Sequence, residues 1–292
     1  MTGTTKDAQA AAARVRDCIG RFAASGENGI DPGGVREAAW DEPLVGFSRG
    51  DDPLYPWLKD DIGSFYLTPL EMFAAAFPGV EAAPGDLAVI SWILPQTERT
   101  RHDNARESAI PAERWARTRT AGEEFNMKLR DHVVDALLQA GCEAVSPLRS
   151  PLFRTETSIR YGRASTWSER HAAYASGLGT FGLCDGLITT RGKAMRCGSV
   201  IARIDLPPTV RPYDDHHAYC LFYFNGSCGK CIKRCPAGAI TAEGHDKQKC
   251  CDYIHNVAIP SVQSRLGFEA NACGLCQTGV PCEAGIPVSR RP

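Results

Sequence analysis

Nine of the thirteen cysteines fall between Cys220 and Cys282, and their spacing constrains this chain more than any other feature. Residues 224–240 read FNGSCGKCIKRCPAGAI. Cys228, Cys231 and Cys235-Pro236 reproduce the last three members of C-x2-C-x2-C-x3-C-P, a run whose thiolates hold iron–sulfur clusters. Asn225 stands where the first cysteine belongs, and a carboxamide cannot replace a thiolate. Cys220, eight residues before Cys228, can reach back across a short loop to supply the missing donor.

A second run, CGLCQTGVPCEAGIP, gives Cys273 and Cys276 at the same x2 spacing. Its third cysteine, Cys282, follows Pro281 where a cysteine–proline pair would be expected, and upstream KCCDY adds Cys250 and Cys251. A cubane cluster takes four thiolates, and in two-cluster arrangements the cysteine before the proline crosses to the other cluster. The expected sets are therefore Cys220, Cys228, Cys231 and Cys282 for one 4Fe-4S cluster, and Cys235, Cys250, Cys273 and Cys276 for the other. Cys250 is preferred to Cys251, which is left with Cys18, Cys142, Cys184 and Cys197 as an ordinary thiol. Zinc ribbons also pair C-x2-C motifs, but they need four ligands per ion and rarely add the x3-C-P step. One cluster, or zinc, is the alternative to two clusters.

Two clusters need a small scaffold, yet about 210 residues precede the cysteines. Pro207-Pro208 and Pro212 interrupt the pattern of elements, which places a boundary near residue 210: an α/β domain over 1–210 and a cysteine-rich one over 211–292. Lys and Arg total 33 against 34 Asp and Glu, with no run of like charge, so neither a nucleic-acid nor a membrane surface is expected. The first residues lack the apolar core of a signal peptide and carry no twin arginine. The expectation is a cytoplasmic protein, where clustered cysteines point to metal or redox chemistry more than to disulfides.

Ahead of the boundary the pattern is mixed. A first helix runs from an N-cap at Thr4 or Thr5 to Gly26 on Val15, Cys18, Ile19 and Phe22. Residues 27–67, rich in Gly, Pro and Asp, read as irregular. Thr68-Pro69-Leu70-Glu71 is a capping box with proline at the first helical position. Leu87–Leu94 reads as a buried strand. Phe125, Leu129, Val133 and Leu137 mark a long helix closing at Gly141, and Glu143–Ser146 a strand. A second capping box, Thr166-Trp167-Ser168-Glu169, opens a helix ending at Gly177, with Glu169 as a cap. Leu187–Thr190 and Ser199–Leu206 read as strands.

Gly177, Gly179 and Gly182 form a loop bare of side chains, suited to close approach of a large flat ligand or a phosphate. It follows a helix, so the dinucleotide-binding reading of G-L-G-x-x-G fails in context. The order SERHAAYASGLGTFG, LIT, IARIDL, CGKCIKRCPAGAI, Cys250 to Tyr253 and CGLCQ, over roughly residues 85–285, resembles epoxyqueuosine reductases and their relatives the reductive dehalogenases. The resemblance implies a nitroreductase-like, cobalamin-binding α/β domain followed by a ferredoxin-like domain with two 4Fe-4S clusters. Electrons would pass through the clusters to cobalt, and Ser168, His171, Gly177, Leu178, Gly179 and Gly182 would line the corrin. Arg163 stands near the position where epoxyqueuosine reductases carry a proton-donating aspartate, and the helical-repeat extension of the tRNA-modifying members is absent.

The expected activity is thus a cobalamin-dependent iron–sulfur reductase of a small molecule, with tRNA set aside as substrate. The alternative is an electron-transfer or corrinoid-reactivating accessory protein. Tyr161 is the candidate proton donor, with the Arg163 guanidinium lowering its pKa. Lys230, Lys233 and Arg234 are candidates to dock an electron donor such as a ferredoxin or flavodoxin. His216 and His217 are expected to face opposite ways in a solvated linker.

Overall fold

The structure, a computed structural model, describes residues 5–287. Helix α1 (Thr5–Ala23) turns Ala12, Val15 and Ile19 inward; its expected N-cap Thr4 lies outside the described residues. The stretch expected to be irregular contains strand β1 (Leu44–Arg49) and helix α2 (Leu54–Ile62). Then come α3 (Pro69–Ala76), opened by the expected capping box, and β2 (Leu87–Pro95). Next are α4 (Glu98–Arg106), the long α5 (Glu113–Gln139) and β3 (Ala144–Val145).

A hairpin of β4 (Thr155–Ser158) and β5 (Gly162–Ser165) leads into α6 (Glu169–Ala175). The second expected capping box is absent: Ser168 is the N-cap and accepts from the His171 amide, while the Thr166 hydroxyl donates to the Leu152 carbonyl. The glycine loop is itself a strand, β6 (Gly179–Phe181), paired with β7 (Leu187–Thr189). Strand β8 (Met195–Arg203) starts four residues earlier than the sequence pattern indicates.

The main sheet has order β1-β2-β8-β3, every pair antiparallel. All nine residues of β2 are buried, the signature of a strand covered on both faces. Ala88, Ile90, Trp92 and Leu94 pack on Ile19 of α1 and Phe125, Leu129 and Val133 of α5. Leu87 and Val89 face Met72 and Phe73 of α3, with Trp167 and Ala172. Each of these large side chains contributes roughly 1.5–3 kcal/mol on burial, so the helix–sheet–helix sandwich is the frame on which everything else is hung.

Past the prolines the chain first rejoins the sheet: the Thr209 amide donates to the Phe47 carbonyl at 2.8 Å, and its hydroxyl accepts from the Phe47 amide at 2.9 Å. His216 and His217 do not diverge. Their rings lie 4.1 Å apart and His217 stacks on Tyr223, because the segment turns here and is not extended. Short helices α7 (Leu221–Asn225) and α8 (Lys230–Arg234) precede a small hairpin, β9 (Ile240–Thr241) with β10 (Gly244–His245). Helix α9 (Lys247–Tyr253) continues through a wide turn into α10 (Ile259–Leu266).

This cysteine-bearing part is packed onto the sheet domain. Val262, Ala270 and Ala272 share an apolar cluster with Trp115, Ala116 and Ala194. Arg234, expected at a docking surface, instead donates to the carbonyls of Leu275, Thr278, Glu107 and Asn104. It ties the end of α4 to the loop between Cys273 and Cys282. Among the described residues no helix is long and apolar enough to cross a membrane.

Candidate functional site

Helices α7 and α8 are single turns, too short to be stable alone, and they bring Cys220, Cys228 and Cys231 to one place. Cys282 arrives from the far end of the chain. These four line a small cavity of about 20 Å³ whose other walls include Leu183, Ile188, Phe222 and Val280. Burial pushes the Cys282 thiol up to about 11, against the downward pull of Lys193.

Cys273 lies within electrostatic reach of Cys250 and Cys235, and Cys276 within reach of Cys273. The Cys235 sulfur accepts from the Ala239 amide at 3.3 Å, and His245 hydrogen-bonds Cys250 as well as Asp185. Cys251 turns away toward His255, sulfur to Nδ1 3.4 Å. Cys276 also lies close to Cys184 and Lys193, and an apolar cluster joins Cys220, Cys231, Cys235, Cys276 and Cys282, so the two expected sets of four meet around Cys184. Among the described residues no group of three or more His, Cys, Asp or Glu side chains converges on a single-ion site. The donor chemistry fits clusters: four thiols from separate segments line one small cavity, the donor type and number that a cubane takes.

Cys184, expected to be an ordinary thiol, is buried and hydrogen-bonds both Cys231 and Cys276, one from each set. Its partner is Lys193, 2% exposed, whose Nζ donates to the Cys184 sulfur at 3.2 Å. Of the three thiols Cys184 is the one held low, by hydrogen bonds from the other two and by this ammonium. Its sequence gave no spacing signal, since the β6–β7 hairpin delivers it from 36 residues ahead of Cys220.

Two of the expected corrin-lining glycines are approached closely by the chain's own backbone. A Cβ on Gly177 would lie 2.8 Å from the Val210 carbonyl, and on Gly179 2.3 Å from that of Ile188, so these glycines admit neighbouring backbone. Gly182 borders the cysteine cavity, and Leu178 packs among Ile93, Ala173 and Tyr174. The Ser168 hydroxyl lies 2.7 Å from His171 Nδ1, and the His171 ring sits against Phe181 and Tyr66, where burial pushes its pKa down to about 3.

A larger opening lies elsewhere, a cleft of about 420 Å³ between α5 and the cysteine-bearing part, lined by Arg119, Glu123, Met127, Ile259, Glu269 and Asn271. Charge extends from it inward. Glu123 pairs with Arg196 at 3.2 Å and Arg130 at 3.3 Å, and Arg130, 1% exposed on its side chain, reaches Glu169 at 3.2 Å. Glu169 is therefore a buried ion-pair member, not a helix cap. Burial pushes its pKa up despite Arg130 and the Ser199 hydroxyl, and among the described residues its Oε2 has no hydrogen-bond partner. Burial, with Arg119 beside it, pulls Arg196 down to about 10. Guanidinium donors and carboxylate acceptors at this cleft suit a ligand with a polar rim. Polar residues at the helical stripe positions 119, 123, 126 and 130, among Phe125, Leu129 and Val133, were the signal available in sequence.

Tyr161 and Arg163 do not form the expected pair. The Tyr161 hydroxyl donates to Asp61 at 2.7 Å, and burial with this acceptor pushes its pKa up to about 12, opposite to the lowering expected from Arg163. Arg163 is exposed, and its carbonyl accepts from Lys247 Nζ at 3.2 Å.

No family model matches the chain. The epoxyqueuosine reductase of Bacillus anthracis is 26% identical over 176 residues, 59% of this chain and 42% of that protein. That of Bacillus subtilis (strain 168) is 29% identical over 138 residues, 45% of this chain and 32% of that protein. The chain thus spans under half the length of these curated relatives. A solved reductive dehalogenase, described as acting in B12-dependent dehalogenation, superposes with TM-score 0.50 at 17% identity, covering 84% of this chain and 30% of that one. At that identity the fold is what is shared. An epoxyqueuosine reductase solved with an epoxyqueuosine-modified tRNA stem loop gives TM-score 0.49 at 18% identity, covering 94% of this chain and 67% of that one. The resemblance read from the motifs is matched by relatives of the same name. The expectation that set tRNA aside for a small molecule is corrected by them, since they are reductases of a nucleoside that tRNA carries. A balanced total charge does not preclude a local basic surface.

Proposed function

We propose that the chain is an oxidoreductase of the epoxyqueuosine reductase kind, dependent on two 4Fe-4S clusters and cobalamin. Cys220, Cys228, Cys231 and Cys282 would hold one cluster, and Cys235, Cys250, Cys273 and Cys276 the other. The corrin would lie in the cleft beside Arg119 and Glu123. The observation that carries the reading is the gathering of four thiols, from three separate segments, around one cavity. When bound, the clusters supply single electrons at low potential and the corrin supplies a reducible cobalt.

The chain's own part is to hold and to exclude. Leu183, Ile188, Phe222 and Val280 keep water from the first set of thiols. Arg130 and Arg196 hold Glu123 and Glu169 aligned at the inner end of the cleft. Tyr161, anchored by Asp61, keeps its proton at neutral pH and is the proton-holding group we assign to the reaction. The substrate class follows the relatives, an epoxyqueuosine-modified tRNA or its stem loop.

The test is anaerobic reconstitution with iron, sulfide and cobalamin, followed by metal analysis. About eight irons and one cobalt per chain, with turnover of the modified stem loop by a chemical reductant, is the expected result. Eight irons without cobalt would overturn the cobalamin assignment, and fewer than four would overturn the clusters.

A further inference from the structure

Lys193 is among the buried polar and charged residues, 2% exposed, yet among the described residues its Nζ faces no carboxylate within ion-pair distance. Its hydrogen-bond partner is the Cys184 sulfur at 3.2 Å, and the groups acting on its charge are sulfurs of Cys184, Cys282, Cys276 and Cys231. Burying an ammonium costs several kcal/mol unless anions compensate it, so a lysine here is informative. The position is fixed at both ends. The Lys193 amide donates to the Cys282 carbonyl at 2.9 Å, the Ala194 amide donates to the Glu283 carbonyl at 3.3 Å, and the lysine stem packs on Gly186. Lys193 also lines the cavity shared by Cys220, Cys228, Cys231 and Cys282.

We propose that Lys193 is a positioning residue that sets the reduction potential of the cluster held by Cys220, Cys228, Cys231 and Cys282, with the Cys184 sulfur as the hydrogen-bond acceptor that holds its ammonium in the cavity wall. The proposal rests on the cluster reading above. A cluster gains one negative charge on reduction, and a fixed cation in a water-poor wall stabilises the reduced form more than the oxidised one. The second set touches this pair through Cys276 alone, so its couple responds less.

The experiment is an EPR-monitored redox titration of anaerobically reconstituted protein, preceded by iron analysis. Lys193→Met and Lys193→Gln keep the stem and remove the charge. With iron retained, one couple is expected to fall by about 60 mV or more, a tenfold change in the equilibrium of a one-electron couple, while the other moves by less than half as much. Cys184→Ser, which keeps the cation, should move the same couple by less than Lys193→Met does. Both couples unmoved in the neutral variants, with iron retained, would overturn the proposal and leave the cluster reading intact. If neither neutral variant retains iron, Lys193→Arg decides: wild-type iron and potentials support a requirement for charge, and lost iron overturns it. Wild-type protein that takes up no iron overturns the cluster reading and this proposal with it.

Discussion

Replacing Arg130 by methionine strands a buried carboxylate. The guanidinium donates to Glu169 Oε1 at 3.2 Å, Glu123 Oε1 at 3.3 Å and the Cys197 carbonyl at 3.0 Å, with its side chain 1% exposed. Removing one member of a buried pair costs about 3–5 kcal/mol, because the charge left behind has neither water nor partner. Glu123 retains Arg196 and Arg119, so the loss is concentrated at Glu169, and Arg130→Met should destabilise the protein by about 3 kcal/mol. The pH dependence has a definite sign. Burial already raises Glu169 in the folded state, so the native chain binds more protons than the unfolded one above the ordinary carboxylate range, and stability falls as pH rises. Without Arg130 that pKa rises further, and the deficit should be larger at pH 8 than at pH 6. Guanidinium titrations of both proteins at the two pH values measure it. Adding Glu169→Gln should recover about 2 kcal/mol, since the orphaned charge is gone. A single variant costing under about 1 kcal/mol, or a double variant no better than the single, would refute the burial argument.

Other perturbations read the remaining contacts. Cys250→Ser should halve the iron bound per chain while Cys251→Ser, whose thiol faces His255, leaves it unchanged; iron analysis distinguishes them. Gly192 has φ +81° and a Cβ there would lie 2.0 Å from the Glu283 carbonyl, so Gly192→Ala should displace the arm carrying Cys282 and reduce iron from about eight to about four per chain. Tyr161 is held up to about 12, so the rate profile should show no tyrosine ionisation below pH 10, and Tyr161→Phe should lower turnover about tenfold or more without changing the metal content. Appearance of a limb near pH 9 would refute the assigned hydrogen bond to Asp61.

Local chemistry was legible in the sequence and long-range chemistry was not. The capping box at Thr68–Glu71 is visible because all its atoms lie within one turn, and the burial of β2 because a nine-residue apolar run has few other uses. Strand β1 escaped because Gly46 and Ser48 interrupt its apolar pattern for a tertiary reason: a Cβ at 46 would lie 2.3 Å from the Ser176 carbonyl. Helix α2 escaped because Pro56 falls in its first turn, where proline is tolerated, and reads in isolation as a breaker. The spacing of eight cysteines is visible in sequence, whereas Cys184 and Lys193 lie alone there and meet only when the β6–β7 hairpin reaches the 282–283 arm. Glu169 was legible as a helix start, but its burial against Arg130 depends on two helices crossing over β8.

The backbone bonds from Lys193 and Ala194 to Cys282 and Glu283 bear on how such a chain can diverge. The cysteine-bearing part is not a cassette that could be joined to an unrelated sheet and keep its chemistry, because one wall of its cavity is a turn of the host. Exchange at the prolines near residue 210 would leave Cys282 without the strand-like edge that seats it. The turn at 190–194 and the arm at 280–284 must therefore change in concert, and a chimera that carries both should accept iron where one carrying either alone does not.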